Sequence, residues 1–349
     1  MTDEVIFALE GHAGRIRLNR PRAIHALTHA MCLRMAERLI AWREDPAVEL
    51  VLVDHAEGRG FCAGGDIRAI AASGAGDGED ARAFFAAEYR LNHLMFTYAK
   101  PIVAFMDGVT MGGGVGISQP ARYRVATERT IYAMPESGIG LFPDVGGGWY
   151  LSRLPGHMGE YLALTGARLD GAECLALELA THYLSSSALD AVKAELVSNP
   201  RGADAILERA SISAPEPRII AHQAEIDRLF AGNTLEEIVA ALDADPNEWA
   251  QQQRATLATK SPQTCKIALK ELAESRLLTD FADEMRMEYR IAARICQRHD
   301  FLEGVRALIV DKDNAPRWDP ATPEGVTDHL IDTIFAPLPP DEEWEPYRL

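Results

Sequence analysis

Basic charge is scarce in this chain. Its 35 lysines and arginines face 52 aspartates and glutamates, a formal net charge of −17 over 349 residues. Such an excess of acid repels phosphate backbones and anionic headgroups, which sets nucleic acid and membrane surfaces aside as partners. Cysteine is sparse as well: Cys32, Cys62, Cys174, Cys265 and Cys296 are odd in number and contain no C-x-x-C pair. Neither a disulfide framework nor a zinc ribbon is expected, and reduced thiols in a cytoplasmic protein are the simplest expectation. The opening Met1-Thr2-Asp3-Glu4-Val5 carries acid where a secretory leader carries base, and no long apolar run follows it. No membrane span, secretory signal or organellar transit peptide is therefore expected. No low-complexity tract and no repeat of fixed signature interrupts the chain. At 47% hydrophobic it has ample material for one large α/β core and a helical appendage.

Periodicity divides the chain in two. Alternation over 5–9 and 15–19, around Gly11 and Gly14, predicts a hairpin. Thr28 is placed to cap a helix running through Met31, Met35, Leu39 and Trp42, and residues 51–54 read as a buried strand. This strand, strand, helix cadence recurs. The run Ser73-Gly74-Ala75-Gly76-Asp77-Gly78 has the composition of a mobile loop, followed by a helix over 81–98 and a strand at Ile102. Beyond about Ser185 the pattern is helical, over 188–198, 203–210, 218–230, 235–242, 262–275 and 278–298. The expected division is thus an α/β part over 1–185 and a helical part over 186–349.

Chemistry concentrates in three glycine-rich segments. Pro135-Glu136-Ser137-Gly138-Ile139-Gly140-Leu141-Phe142-Pro143-Asp144-Val145-Gly146-Gly147-Gly148 sets two carboxylates among apolar residues and glycines. Buried there, a carboxyl costs several kcal/mol unless it is paired or its pKa moves, which makes such pairs a recurrent acid, base or nucleophile device. A helix cap at Glu136 and a turn at Asp144 would explain the same residues without chemistry. Upstream, the apolar run at 101–106 leads into Met111-Gly112-Gly113-Gly114-Val115-Gly116, and Val51-Leu52-Val53-Asp54 leads into Gly58-Arg59-Gly60-Phe61-Cys62-Ala63-Gly64-Gly65-Asp66. Strands that end in glycines leave backbone N–H groups bare, and two such loops can hold one carbonyl oxygen as it gains charge.

These segments, with His299-Asp300-Phe301-Leu302-Glu303-Gly304-Val305-Arg306-Ala307 and Pro316-Arg317-Trp318 downstream, resemble the crotonase (enoyl-CoA hydratase/isomerase) superfamily. Within it the likeness is to the 3-hydroxyisobutyryl-CoA hydrolase branch, and it extends over nearly the whole chain. The resemblance implies an α/β crotonase-like spiral of ββα units with a helical C-terminal region. It implies an oxyanion hole from the N–H groups of Gly65 and Gly113, Glu136 beside the reacting carbon, and Asp144 on the substrate 3-hydroxyl. Glu88 would line the acyl pocket, with Ala63, Asp66 and Ile67 also at the substrate. Arg20 and Arg22 would lie at the coenzyme A edge. Hydratases carry a second glutamate where this chain has Gly116, and relatives commonly carry asparagine where it has His25. The implied activity is hydrolysis of a 3-hydroxyacyl-CoA thioester in valine breakdown, with no metal, no cofactor beyond the coenzyme A of the substrate, and possible homo-oligomers. Hydration or isomerisation of an enoyl-CoA on the same fold, or acyl-CoA binding without catalysis, are the alternatives.

An acidic protein that takes a polyanionic thioester needs local base. Arg15, Arg17, Arg20, Arg22, Lys266, Lys270 and Lys312 are the candidates, each on its own more simply a solvated surface charge. Other motifs are weaker. Gly58-x-Gly60-x-x-Ala63 meets a loose dinucleotide fingerprint, but no helix is expected to open at Gly60. Gly116-Ile117-Ser118-Gln119-Pro120 lacks the last glycine of a nucleophile elbow. His25 and His29 lack a third metal ligand and read as surface residues at a helix start. Cys62 is expected to be packing rather than a nucleophile.

Overall fold

The computed structural model describes residues 3–349; Met1 and Thr2, part of the segment read for a leader, lie outside them. The predicted hairpin is β1 (Val5–Glu10) and β2 (Ala13–Leu18), turned at Gly11 in the left-handed region. Gly14 lies flat against Trp42, where even a methyl group would come within 2.7 Å of the indole. Helix α1 (His29–Arg43) starts where the Thr28 side chain accepts the Met31 N–H. From there β3 (Leu50–His55), β4 (Gly60–Cys62), α2 (Ile67–Gly74), α3 (Glu79–Phe96), β5 (Ile102–Met106), β6 (Val109–Met111), α4 (Gly113–Gly116), β7 (Tyr123–Ala126) and β8 (Ile131–Ala133) follow.

From β3 to β8 consecutive strands alternate between two sheets. One sheet has the order β1-β2-β3-β5-β7-β10, ending on β10 (His182–Tyr183); the other runs β4-β6-β8-β9, with β9 at Leu169–Asp170. The pairs β3/β4, β5/β6 and β7/β8 each place one strand in each parallel layer, so the chain winds as a spiral. β3, β5 and β7 each lead on into the second sheet, and the glycines at 64–65 and 112–114 follow its paired strands β4 and β6. Alternation along β3 decides the layers: Val51 and Val53 face the main core, Leu50 and Leu52 a second one.

Between β8 and β10 lie α5 (Gly147–Leu151), α6 (Met158–Thr165) and α7 (Gly171–Ala176). No strand occurs after Tyr183 among the described residues. The helices there are α8 (Leu189–Ser198), α9 (Ala203–Ala210), α10 (Gln223–Leu229), α11 (Leu235–Ala244), α12 (Glu248–Leu257), α13 (Pro262–Ser275), α14 (Phe281–Ile295), α15 (His299–Val305) and α16 (Asp328–Phe335). The expected helix at 218–230 begins as a 3-10 turn over Arg218–His222, and α12, α15 and α16 were not foreseen. One hydrophobic core runs from Val5 to Trp344 through both parts of the chain.

The segment expected to be a mobile loop is tied down. Ser73 and Gly74 end α2, and a side chain on Gly74 would collide with the Cys296 carbonyl. The Ser73 hydroxyl accepts the Ala81 N–H at 3.0 Å, and Gln297 donates to the Gly76 carbonyl at 3.0 Å. Glycine is used here for close approach to α14 rather than for freedom.

Candidate active site

Gly65 and Gly113 meet at the edge where β4 and β6 end. Leu27 bridges to Gly65 through the Leu27 N–H to Gly64 and the Asp66 N–H to Leu27, which leaves the Gly65 N–H unused. Gly113 is the first residue of α4, so its N–H has no acceptor within the helix. Neither N–H has a partner among the described residues. The loops touch: a side chain on Gly64 would lie 3.5 Å from the Met111 carbonyl and 3.7 Å from the Gly113 nitrogen. A methyl group on Gly112 would lie 3.0 Å from Glu136 Oε1, and one on Gly113 would collide with Glu88 Oε1. Two glutamates thus flank the two bare donors.

A cavity of about 400 Å³ opens at this point. Of the ten residues singled out from sequence, Ala63, Gly65, Ile67, Glu88, Gly113, Glu136 and Asp144 line it. Asp66, Arg20 and Arg22 do not. Asp66 precedes α2 and pairs with Arg20 at 2.9 Å, while Arg20 also reaches Glu4 at 3.0 Å and is consumed in holding the N-terminal strand to this loop. Arg22 is exposed, in a 3-10 turn over Pro21–Ala23.

Glu136 opens a 3-10 turn over Glu136–Ile139 that ends at left-handed Gly140. The C-terminal motif buttresses this turn: Gly304 of α15 packs on Ile139 so closely that a Cβ would strike its backbone, and Ser261 donates its N–H to the Ser137 carbonyl at 3.1 Å. Asp144 follows on a sharper bend, where Val145 and Gly146 both take positive φ of 58° and 89°. Its Oδ2 accepts the Tyr89 hydroxyl at 2.8 Å, a tyrosine that sequence reasoning passed over although it follows Glu88 directly.

Three carboxyls are buried here, Glu88, Glu136 and Asp144 being 2%, 5% and 4% exposed. Burial pushes Glu88 well above the usual carboxylate range, and the charges of Asp144 and Glu136 push it further. Burial and the Asp144 charge raise Glu136 in the same way. Asp144 is raised by burial to about 7, with the Tyr89 hydroxyl opposing the rise. Glu88 Oε1 and Glu136 Oε2 have no hydrogen-bond partner among the described residues. Unpaired buried acceptors of this kind are suited to a substrate hydroxyl, a water or a reacting carbon.

The position after the glycine triplet is closed. A Cβ on Gly116 would lie 2.6 Å from the Val145 Cβ and 2.8 Å from Asn92 Nδ2. No second glutamate fits there without moving the Asp144 loop.

The cations at the cavity are Arg168 and Lys260, neither expected from sequence. Lys260 is largely buried, which lowers its pKa, and its Nζ lies 3.4 Å from where a Gly138 side chain would be. Its one sequence signal is its place just before the Ser261 cap of α13. Arg15, Arg17, Lys266 and Lys270 are held by Asp54, Glu10, Glu236 and Asp332. Lys312 is exposed, two residues before Asn314 on the cavity wall.

The other motifs resolve as structure. Gly60 lies in β4, so no helix opens there. Ser118 is buried and donates to the Gly114 carbonyl. His29 begins α1, but His25 is no surface residue: it is fully buried, its Nδ1 facing the Arg20 N–H at 2.9 Å and its Nε2 the Glu57 carbonyl at 2.8 Å. Cys62 is buried, its thiol pushed by burial to about 12, which removes it as a nucleophile at neutral pH.

Residues 13–335 match the family model described as enoyl-CoA hydratase/isomerase. The chain is 42% identical over 344 residues to a mitochondrial 3-hydroxyisobutyryl-CoA hydrolase of Danio rerio, covering 96% of this chain and 90% of that one. It is 39% identical to that of Homo sapiens, covering 96% and 89%. Among solved structures it resembles a carnitinyl-CoA dehydratase from Mycobacterium thermoresistibile, with a TM-score of 0.93, 40% identity and coverage of 97% and 98%. An enoyl-CoA hydratase from Rhodobacter sphaeroides matches with a TM-score of 0.92, 39% identity and coverage of 98% and 100%.

Proposed function

The chain belongs to the enoyl-CoA hydratase/isomerase family, and from that premise we propose that it hydrolyses the thioester of 3-hydroxyisobutyryl-CoA to the free hydroxy acid and coenzyme A. The full-length hydrolase relatives support this activity. Solved relatives of similar identity carry dehydratase and hydratase names, so the choice rests on the site. The observation that carries it is the pair formed by a closed Gly116 position and a buried Asp144 tethered to Tyr89. The second carboxylate stands on the loop after Glu136, not on α4.

In this reading the thioester oxygen sits between the N–H groups of Gly65 and Gly113. Each such donor lowers the barrier by about 2.7 to 4 kcal/mol as charge develops. Asp144 accepts the 3-hydroxyl, with Glu88 and Ile67 beside the acyl group. Glu136 attacks the carbonyl carbon as the ionised carboxylate, which desolvation makes basic and nucleophilic once its proton has gone to water; the C–S bond breaks, and coenzyme A leaves as a thiolate that takes a proton from water. Water then cleaves the mixed anhydride, the acid departs and the Glu136 carboxylate returns. Activation of a water by Glu136 is the other route that this placement serves. No metal or further cofactor enters either route. Lys260 and Arg168 meet the polar part of the thioester, in place of Arg20 and Arg22. Residues 1–185 supply the reacting groups in this scheme, and 186–349 close the cavity through Lys260, Leu308 and Ile309. A place in valine breakdown, a homo-oligomeric assembly and a cytoplasmic location belong to the same proposal; the vertebrate relatives are named as mitochondrial, and no helix of the described residues is long and apolar enough to cross a membrane.

The test is a substrate panel with free thiol and enoyl absorbance followed together. Thiol released from 3-hydroxyisobutyryl-CoA is the expected result. Loss of enoyl absorbance without thiol would make the protein a hydratase, and silence on both would leave an acyl-CoA binder.

A further inference from the structure

Behind the loop that carries Asp144 lies a second, fully buried set of carboxyls that the proposed reaction does not use. Glu271 of α13 and Glu284 and Glu288 of α14 have 0% exposure, with oxygens within 4.8 Å of one another. Glu284 and Glu288 are one turn apart on the same helix face. Glu288 accepts the Gly146 N–H on both oxygens, at 3.0 and 2.9 Å. Glu284 accepts the Ser275 hydroxyl at 2.7 Å, and neither oxygen of Glu271 has a partner among the described residues.

Gly146 is two residues from Asp144, and the residue between them is strained. Val145 is β-branched yet adopts φ 58°, a region that such side chains avoid. A bend of this kind persists only where its surroundings hold it. Two things hold it here: the Val145 side chain packs on Gly116, and the next N–H is seized by Glu288. Three carboxylates so close and so dry cannot all be charged, and burial raises all three, Glu284 to about 7. The cluster packs against Gly148, where a side chain would collide with Glu284, Ser275 and Glu271.

We propose that Glu288 is a positioning residue for Asp144: through the Gly146 N–H it fixes the strained bend that aims the Asp144 carboxyl at the substrate hydroxyl, with Glu271 and Glu284 packed beside it. The consequence for turnover rests on the proposed role of Asp144. Glu288 touches no substrate, so its removal should alter hydroxyl discrimination and not the chemistry on an acyl group that lacks the hydroxyl.

Two substitutions separate acceptor reach from charge. Glu288→Gln keeps an oxygen at the same distance, whereas Glu288→Asp keeps the carboxyl but withdraws it by one carbon. The ratio of kcat/KM for 3-hydroxyisobutyryl-CoA over isobutyryl-CoA should stay within about threefold of wild type in Glu288→Gln and fall about tenfold or more in Glu288→Asp, as expected for a lost buried hydrogen bond. The fall should appear as a higher KM for the hydroxylated thioester with isobutyryl-CoA turnover unchanged. An unchanged ratio in Glu288→Asp, or an equal loss on both thioesters, overturns the proposal. Hydrogen exchange at the Gly146 amide reads the same bond without catalysis. Exchange should remain slow in Glu288→Gln, and a fast Gly146 in that folded variant overturns the proposal even where Glu288→Asp does not fold. Asp144→Gly is run beside them: if it too leaves the ratio at wild type, the hydroxyl role of Asp144 fails, and Gly146 exchange alone decides for Glu288. Addition of Mn²⁺ or Ca²⁺ should leave the melting temperature unmoved, and a metal-dependent rise would make the cluster a cation site and overturn the proposal.

Discussion

Asp144→Asn should make this protein more stable and less selective. In the native state burial holds the Asp144 carboxyl at about 7, against 3.8 for the ordinary group. A group raised in this way binds its proton in the folded chain and releases it in the unfolded chain between those two values. Stability therefore falls as pH rises from about 4 to about 7 and stays reduced above. The difference is about 3 pKa units at 1.36 kcal/mol each, or about 4 kcal/mol. The Asp144 charge also raises Glu88 and Glu136. Asparagine has no charge to bury, and its carbonyl oxygen still accepts from Tyr89. With an unfolding entropy of about 2.1 cal/mol/K per residue over 349 residues, 4 kcal/mol corresponds to about 5 °C in Tm. Calorimetry of wild type and variant should thus give a Tm difference of about 5 °C in favour of the variant at pH 8, shrinking towards zero near pH 4. A variant that melts lower at pH 8, or a difference that ignores pH, would refute the placement of a desolvated charge at this residue.

Three other outcomes follow from the site. Glu136→Gln should lower turnover by at least about 10³-fold, while calorimetric titration still detects thioester binding; an active variant would remove Glu136 from the chemistry. Lys260→Ala should raise KM about tenfold with kcat unchanged, the signature of lost uniform binding, and an unaltered KM would return Lys260 to a packing role. Gly116→Ala should destabilise by about 1 to 3 kcal/mol through the clash with Val145, read as a lower denaturation midpoint; a neutral result would mean that the Asp144 loop yields easily.

Much of this was legible in the residues. Alternation around Gly11 gave the hairpin, the Thr28 cap gave the start of α1, and the end of strand signals near Ser185 matches the last strand at Tyr183. Seven of ten chosen site residues share one cavity: the glycine clusters and paired carboxyls pointed to Gly65, Gly113, Glu136 and Asp144, and the family resemblance added Glu88, Ala63 and Ile67. What was not legible depends on distant partners. The 73–78 run reads as loose until Cys296 is seen against Gly74. Arg20 looks free until Asp66 and Glu4 take it, and His25 looks exposed until Glu57 and the Arg20 N–H enclose it. Lys260 belongs to the site only because the helical region folds back over it. Charge and polarity are local properties, but what pairs with them is set by the folded chain, where periodicity has no reach.

The arrangement also explains why one fold supports two reactions. Adding water to an enoyl group needs two carboxyls on either side of one water, and the resemblance places the second of them two residues beyond the glycine triplet. Here that space is taken by Val145 and Asn92, and Val145 is there because the loop bends through positive φ to deliver Asp144. Closing the first position and filling the second are therefore one structural event. A chain that regained a glutamate at 116 would have to straighten the bend, release Gly146 from Glu288 and withdraw Asp144 together. Single substitutions at Gly116 should accordingly lose hydrolysis without gaining hydration, and a Gly116→Glu protein that hydrates an enoyl-CoA with the Asp144 loop unmoved would show that the two positions are independent after all.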